Sequence, residues 1–318
     1  MGWNYSTGAY MQDGRRTSGL RQGRPLGIVI TGGTGGLGRA MAREFLCAGD
    51  KVVICGRENA RLESALKALK ADVPSGEVYA MVCDVSDPRQ AAEFTSFAVS
   101  RIGIIDRWIN NAGTAGRFRR PLWELDPFDI DETCRTNLSG TMMLCAEALK
   151  VMRSQAPSSG SPIYHIFNMG FSFAGFRSSP TSVPHRASKR AVTLTSALIR
   201  DELKSARIDS IGIHELSPGL VMTGLLLRDA SPGQRRFFNA VAELPETVAA
   251  RLVPAIRSIR GTGGTLRYRP VILMLLKLLA SVFGYRKDRY FDSEGRRRPT
   301  PGNQVHQQVP SRSFDSSG

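Results

Sequence analysis

A glycine-rich turn, TGGTGGLG at 31–38, directly follows an apolar run at 25–31. Glycines let the backbone turn sharply and approach a pyrophosphate, and the N-terminus of a following helix offers unpaired N–H groups to phosphates. A helical pattern, LGRAMAREFLCAG, comes next at 37–49, so strand, turn and helix stand in the order that such a site requires. These residues predict a dinucleotide site at the first strand of an α/β sheet.

Strand-length apolar runs alternate with helix-length segments over the first two thirds of the chain, and one long helix is predicted from about Asp129 to Met152. The runs lie at 25–31, 51–55, 77–85, 105–113, 162–170 and 209–219. Buried runs at this spacing predict a parallel sheet with helices on both faces. With right-handed crossovers this is a Rossmann-type doubly wound α/β sheet, in a single domain with a helical C-terminal extension.

The expected boundaries divide the 318 residues into four parts. Residues 1–24 form a flexible segment whose four arginines and single acid are typical of a transit peptide remnant. Residues 25–225 form the nucleotide-binding domain, and 226–295 a helical extension of it that serves as a substrate lid. Residues 296–318 form a basic, polar tail with little to bury, which predicts disorder. Within the extension, RGTGGTLRYRP at 260–270 is expected to be a turn-rich break.

The formal net charge is +15, and residues 251–300 hold 12 lysines and arginines against 3 acids. A basic surface suits nucleic acid, an anionic membrane or a phosphorylated cofactor. No stripe of interleaved aromatic and basic residues is present, so a nucleic-acid partner is not expected. The apolar run at 271–284 is too short to span a bilayer. Segment 271–289 is either a buried or oligomer-contact helix, or a membrane-surface contact with its basic residues on anionic headgroups.

The second strand is expected to end at Cys55-Gly56-Arg57. A site for NAD usually has an acid about 20 residues beyond the glycines to bind the ribose 2′-hydroxyl. Arg57 stands there instead, and its planar cation suits a 2′-phosphate. This predicts NADP(H) as the cofactor; the alternative is that Arg57 is a solvated turn arginine.

No metal site is expected. The five cysteines are odd in number, and no pair of them has metal-ligand spacing. His214, in IHEL, has no second ligand at helical spacing. Cysteines of this kind are typical of an intracellular protein.

Several motifs together resemble the short-chain dehydrogenase/reductase family over roughly 25–225. They are the glycine turn, CDV (83–85), NNAG (110–113), TNLSG (136–140), a serine 13 residues before position 185, Lys189, and SPG (217–219). The resemblance implies a single-domain Rossmann fold, a nicotinamide cofactor and hydride transfer to or from a carbonyl. It assigns catalytic roles to Asn137, Ser172 and Lys189, with Asn137 holding a water in a proton relay. The cofactor-binding residues that it and the glycine turn imply are Thr31, Gly32, Gly33, Thr34, Gly36, Leu37, Gly38, Arg57, Asp84, Val85, Asn111, Ala112, Gly113, Lys189, Pro218, Gly219 and Thr223.

Position 185 departs from that family, in which a tyrosine proton donor precedes the lysine by four residues; this chain has His185. Lys189 and an oxidised nicotinamide should lower the pKa of His185 below its ordinary value of about 6.5, because like charges disfavour the imidazolium. Neutral imidazole is a poor acid, and general-acid assistance is worth roughly 10²–10⁴-fold. Three accounts stay open: a weaker, pH-dependent donor aided by Ser172 and water, an inactive paralogue that binds cofactor or pigment, or a sequence variant.

A narrower resemblance, to the chlorophyll b reductases of the non-yellow-colouring type, extends to about Gly295. Its segments are HIFNMG (165–170), SPGLVMTGLLL (217–227), ELPETVAARLVP (243–254) and RYFDSEGR (289–296). It implies NADPH-dependent reduction of the 7-formyl group of chlorophyll b to 7-hydroxymethyl chlorophyll, at the stromal face of the chloroplast thylakoid. The alternatives are a generic carbonyl reductase or an impaired paralogue that serves as a cofactor- or pigment-binding subunit.

The expected partners are chlorophyll b or another bulky apolar carbonyl compound, together with a second copy of the chain or a related reductase. The segment 224–241 either forms a lid with Phe237 and Phe238 facing a macrocycle, or packs on the sheet.

Overall fold

The structure is a computed structural model, and it describes residues 24–155, 161–170, 182–228, 230–268, 289–292 and 294–298. The predicted catalytic residue Ser172 lies outside the described residues. So do the N-terminal segment before Arg24, residues 271–288 of the predicted membrane-contact segment, and most of the predicted disordered tail.

Seven parallel strands form one sheet in the order β3-β2-β1-β4-β5-β6-β7 within the described part of the chain. The strands are β1 (Gly27–Thr31), β2 (Lys51–Gly56), β3 (Val78–Val82), β4 (Arg107–Asn110), β5 (Tyr164–Met169), β6 (Ile211–Ser217) and β7 (Gly263–Arg267). The strand order reverses between β1 and β4, and this topological switch point is where ligands bind in open α/β sheets. The predicted Rossmann-type doubly wound sheet is confirmed.

Helices cover both faces of the sheet. They are α1 (Gly36–Cys47), α2 (Asn59–Asp72), α3 (Pro88–Ile102), α4 (Pro127–Cys134), α5 (Gly140–Ser154), α6 (Val183–Ser205), α7 (Gly224–Leu227), α8 (Pro232–Val241) and α9 (Pro245–Ser258). Side chains alternate across a strand, so Ile28 and Ile30 of β1 pack with α1, α2 and α9, whereas Val29 packs with α3 and α5. A π-helical turn, Arg135–Ser139, joins α4 to α5, so the predicted long helix is present with one interruption.

The segment 260–270 was expected to be a turn-rich break, and this expectation was wrong. It contains β7, which pairs in parallel with β6 from Ile213–Gly263 to Ser217–Arg267. The strand is glycine-rich and largely exposed, so it lacks the apolar run that marks a strand in sequence. Pairing with the edge of β6 forms it, and a side chain at Gly263 would collide with Arg200.

The predicted helical extension is present as α7 to α9; α9 packs into the main core, whereas α8 is part of a second, smaller cluster. Phe238, Tyr290 and Phe291 pack there with Ala230 and Ala242. None of the helices in the described residues is long and apolar enough to cross a membrane.

Candidate active site

A cleft of about 550 Å³ opens at the carboxyl ends of the strands around the switch point. Most of the predicted cofactor-binding residues line it. These are Gly32, Thr34, Gly36, Leu37, Gly38, Arg57, Val85, Asn111, Ala112, Gly113, Lys189, Pro218, Gly219 and Thr223. Sequence positions spread over nearly 200 residues therefore meet in one cleft.

The glycine turn needs glycine for two separate physical reasons. Gly32 and Gly36 have φ angles of +66° and +52°. A residue with a side chain would be strained in this backbone conformation. A Cβ at Gly38 would lie 2.3 Å from the carbonyl oxygen of Gly32, so only glycine allows α1 to start so close to the turn. Gly35, the N-cap of α1, faces open space and makes no side-chain cap, which leaves the first N–H groups of the helix for an anion.

Thr31, Gly33 and Asp84 were predicted to bind cofactor, but they are not among the residues that line the cleft. The Thr31 hydroxyl accepts a hydrogen bond from the amide of Ala112, and a Cβ at Gly33 would collide with Ile54. The Asp84 carboxylate accepts hydrogen bonds from the backbone and hydroxyl of Ser86. Thr31 and Gly33 therefore contact neighbouring segments in the structure, and Asp84 bonds within its own turn.

Lys189 carries a buried ammonium group next to Gly113. The residue is 8 % exposed, and no described side chain or carbonyl accepts a hydrogen bond from it. A Cβ at Gly113 would lie only 3.3 Å from Nζ, so this glycine keeps space open beside the charge. Burial lowers the pKa of Lys189 to about 8, which still leaves the group mostly charged at neutral pH. A cation that faces the cleft in this way fits the ribose hydroxyls of a nicotinamide nucleotide, and the open glycine turn fits its pyrophosphate.

Asn137 lies in the π-helical turn and is fully buried. Its Oδ1 accepts from the amide of Thr114 at 2.8 Å, and its Nδ2 donates to the Thr114 carbonyl at 2.9 Å and to Ser188 Oγ at 3.1 Å. The side-chain amide thus holds the segment after β4 against α6. The predicted role of Asn137 in holding a water stays a prediction.

His185 lies at the start of α6 and lines the cleft. Its Nδ1 is 2.8 Å from the Thr114 carbonyl oxygen, which only accepts hydrogen bonds, so Nδ1 carries the proton in the neutral ring. Burial lowers the pKa of His185 to about 4; the hydrogen bond to Thr114 opposes this shift, and the charges of Lys189 and Arg119 add to it. The expected low pKa is confirmed, although burial rather than Lys189 is the main cause.

Arg119 is a cleft residue that the sequence reasoning missed. Its Nη2 donates to the carbonyl oxygens of Leu225 at 3.3 Å and Leu226 at 2.9 Å, which ties the segment after β4 to α7. Arg228 makes a second tie, from its Nη1 to the Gly116 carbonyl at 3.0 Å. The available signal was the basic run RFRR at 117–120, directly after NNAG.

The remaining lid residues do not all face the cleft. Leu225 and Leu226 of α7 line it, but Phe237 and Phe238 of α8 do not, and Phe238 is buried in the second, smaller cluster. Phe238 therefore neither faces the cleft nor packs on the sheet as the alternative expected, because it packs with Tyr290 and Phe291 instead.

Arg57 is not a purely solvated arginine. It lines the cleft at the end of β2, and its Nη1 donates to Glu132 Oε1 of α4 at 3.1 Å. The other oxygen of Glu132 accepts from Nε of Arg117, also at 3.1 Å.

No group of three or more histidine, cysteine or acidic side chains in the described residues has an arrangement that would hold a metal ion.

Residues 27–231 match the family described as short chain dehydrogenase, and the chain belongs to this family of oxidoreductases. Membership supports a nicotinamide cofactor. The chlorophyll(ide) b reductase NOL, chloroplastic, of Arabidopsis thaliana is 38 % identical over 288 residues, which cover 88 % of this chain and 81 % of that protein. The probable chlorophyll(ide) b reductase NYC1, chloroplastic, of Oryza sativa subsp. japonica is 36 % identical over 287 residues, 86 % of this chain and 55 % of the relative. This chain thus spans about half the length of the rice protein.

Among solved structures, the crystal structure of levodione reductase superposes with a TM-score of 0.64 at 25 % identity, over 77 % of this chain and 96 % of that one. Both the predicted fold and the predicted family are therefore confirmed.

Proposed function

We propose that this chain reduces a carbonyl group with NADPH, and that its substrate is the 7-formyl group of a chlorophyll b-type pigment, which becomes a 7-hydroxymethyl group. The observation that carries the proposal is the ammonium of Lys189, which lies in a largely buried side chain and faces a cleft built from the family's glycine turn. Similarity to a chlorophyll(ide) b reductase over 88 % of the chain supports the choice of substrate.

Each end of the cofactor has residues that suit it. The glycine turn and the N-terminus of α1 hold the pyrophosphate, Lys189 holds the nicotinamide ribose hydroxyls, and Arg57 holds a 2′-phosphate. When bound, the reduced nicotinamide supplies a hydride to the carbonyl carbon. The developing oxyanion then needs a hydrogen-bond donor and a proton. By resemblance, Ser172 donates the hydrogen bond.

The proton is the difficult step. In the neutral ring the only N–H of His185 points to the Thr114 carbonyl, so Nε2 is an acceptor. Only the imidazolium can donate from Nε2, and a pKa of about 4 makes this form scarce at neutral pH. We therefore propose slow turnover that improves with acid.

The walls of the cleft suit a bulky apolar substrate. Leu220, Val221, Leu225 and Leu226 line the side formed by α7 and the loop before it. The segment that carries Arg119 also exposes large apolar side chains, namely Phe118, Leu122, Trp123 and Phe128. A macrocycle too large for the cleft to enclose would contact the apolar lining of the cleft and the exposed apolar side chains beside it.

A second candidate is a cofactor- or pigment-binding subunit with little turnover. The observation that favours it is again His185, since the hydrogen bond to Thr114 removes the donor from the position where the family has its acid. This subunit would bind a related reductase.

We also propose a chloroplast location, at the stromal face of the thylakoid, and association with a second copy or a related reductase. Leu194 and Leu198, exposed on α6, and Met142, exposed on α5, support such an association.

Arg289 was expected to contact headgroups, but its Nη2 donates to the buried Glu243 at 2.7 Å, so it is engaged within the fold.

The deciding experiment follows NADPH oxidation and pigment product for the native chain and for His185→Tyr, with chlorophyll b and with a small aldehyde. The proposal expects 7-hydroxymethyl product from both proteins, and more from the tyrosine variant. Product from the small aldehyde alone would indicate a generic carbonyl reductase. Tight NADPH binding without product from either protein would favour the binding subunit.

A further inference from the structure

Glu132 of α4 divides its carboxylate between two arginines from different parts of the chain. Oε1 accepts from Nη1 of Arg57, at the end of β2, and Oε2 accepts from Nε of Arg117, in the segment after β4. Both bonds are 3.1 Å long. The three side chains are partly exposed, at 48 % for Arg57, 26 % for Glu132 and 56 % for Arg117. Arg57 lines the cleft, whereas Glu132 and Arg117 are not among the lining residues.

We propose that Glu132 competes with the 2′-phosphate of NADP(H) for Arg57, and that Arg117 limits this competition by holding the same carboxylate. The inference rests on the proposed function, because it assumes that Arg57 meets a 2′-phosphate. Glu132 is then a specificity-determining residue that acts from outside the cofactor cleft.

The charges around Arg57 support this assignment. A phosphate monoester brings nearly two negative charges, so an acid hydrogen-bonded to the same guanidinium repels it and occupies one donor. The neighbouring pair Glu58 and Arg61, both lining the cleft, bond to each other at 3.2 Å and cancel in charge. Because Arg61 neutralises Glu58, the negative charge that acts on Arg57 comes from Glu132. Arg117 neutralises part of that charge.

The effect should be modest and should depend on salt. Exposed ion pairs contribute about 0.2–1 kcal/mol, which corresponds to about 1.5- to 5-fold in affinity. Screening at high ionic strength should remove most of it. The affinity for NADH should not change, because NADH has a hydroxyl where NADPH has the phosphate.

The test measures dissociation constants of NADPH and NADH by fluorescence titration, with no substrate present. Glu132→Gln should raise the preference for NADPH over NADH about threefold. Arg117→Gln should lower it about twofold, because Glu132 then turns fully to Arg57. In the double variant the effect of Arg117→Gln should vanish. Asp131→Asn is the matched control, since it removes an equal charge from the adjacent residue, which pairs with Arg135 instead.

Arg57→Gln separates this inference from the proposed function. If Arg57→Gln abolishes the preference for NADPH but Glu132→Gln behaves like Asp131→Asn, the competition is wrong and the proposed cofactor stands. The competition is also wrong if Arg117→Gln raises the preference or acts equally in the Glu132→Gln background. If Arg57→Gln leaves the preference unchanged, the proposed NADP(H) specificity fails, and the role of Glu132 fails with it.

Discussion

The ring nitrogen Nδ1 of His185 lies 2.8 Å from the carbonyl oxygen of Thr114, and this contact decides which nitrogen carries the proton. The same oxygen also accepts from Asn137, so the buried amide of Asn137 and the ring of His185 share one backbone acceptor. A tyrosine at this position would present a hydroxyl that both donates and accepts. The structure therefore gives a physical meaning to a one-residue departure from the family pattern.

We predict that His185→Tyr raises turnover of a carbonyl substrate at pH 7 by at least about tenfold, since general-acid assistance is worth roughly 10²–10⁴-fold. The measurement is kcat with NADPH and chlorophyll b. His185→Phe is the matched control, because phenylalanine is similar in size to tyrosine but has no hydroxyl. Its turnover should not exceed that of the native chain. Equal turnover in the tyrosine and phenylalanine variants would show that the phenol gives no proton.

We predict that turnover of the native chain rises as the pH falls from 7 to 5.5. The pKa of His185 is about 4, so the imidazolium fraction grows about tenfold for each pH unit over this range. The rate should follow that fraction if His185 is the donor. The His185→Phe variant should lack this dependence. A flat profile for the native chain would assign the proton to solvent or to another group.

Much of this site is predictable from sequence, because it depends on local patterns. The glycine turn between a strand and a helix locates the cleft, and the spacing of Lys189 from His185 places both on one helix. β7 was missed because a glycine-rich edge strand has no apolar run and is formed by pairing with β6. Arg119 was missed because its partners are carbonyl oxygens more than 100 residues away. The protonation of His185 was also beyond a sequence argument, since it depends on a backbone oxygen brought near by folding.

We predict that His185 makes the native fold sensitive to acid. Its folded pKa of about 4 lies below the unfolded value of about 6.5, so the unfolded state binds more protons between these values. Protonation of His185 therefore does not lower the free energy of unfolding above pH 6.5. As the pH drops from 6.5 toward 4, it lowers that free energy by up to about 1.4 kcal/mol per pH unit. Urea unfolding of the native chain and His185→Phe over this range measures it. The variant should show a smaller slope, although the buried His165 and His214 contribute to both proteins.

Lys189→Met should weaken cofactor binding and at the same time stabilise the protein. Burial lowers the pKa of Lys189 to about 8 from its ordinary 10.5, so the folded state disfavours the charge at neutral pH. Methionine has a similar length and no charge. The free energy of unfolding at pH 7 should therefore rise by about 1–3 kcal/mol.

The same burial predicts how cofactor affinity depends on pH. Lys189 loses its proton as the pH rises through 8, so NADPH affinity of the native chain should fall between pH 7 and 9. Lys189→Met should bind weakly at both values. Lys150→Met is the control, because Lys150 is an exposed lysine on α5 paired with Glu147, and it should change neither stability nor binding appreciably. A Lys189→Met variant that is less stable than the native chain would show that the ammonium has a stabilising partner in the folded protein. The ammonium would then not be available to bind ribose hydroxyls.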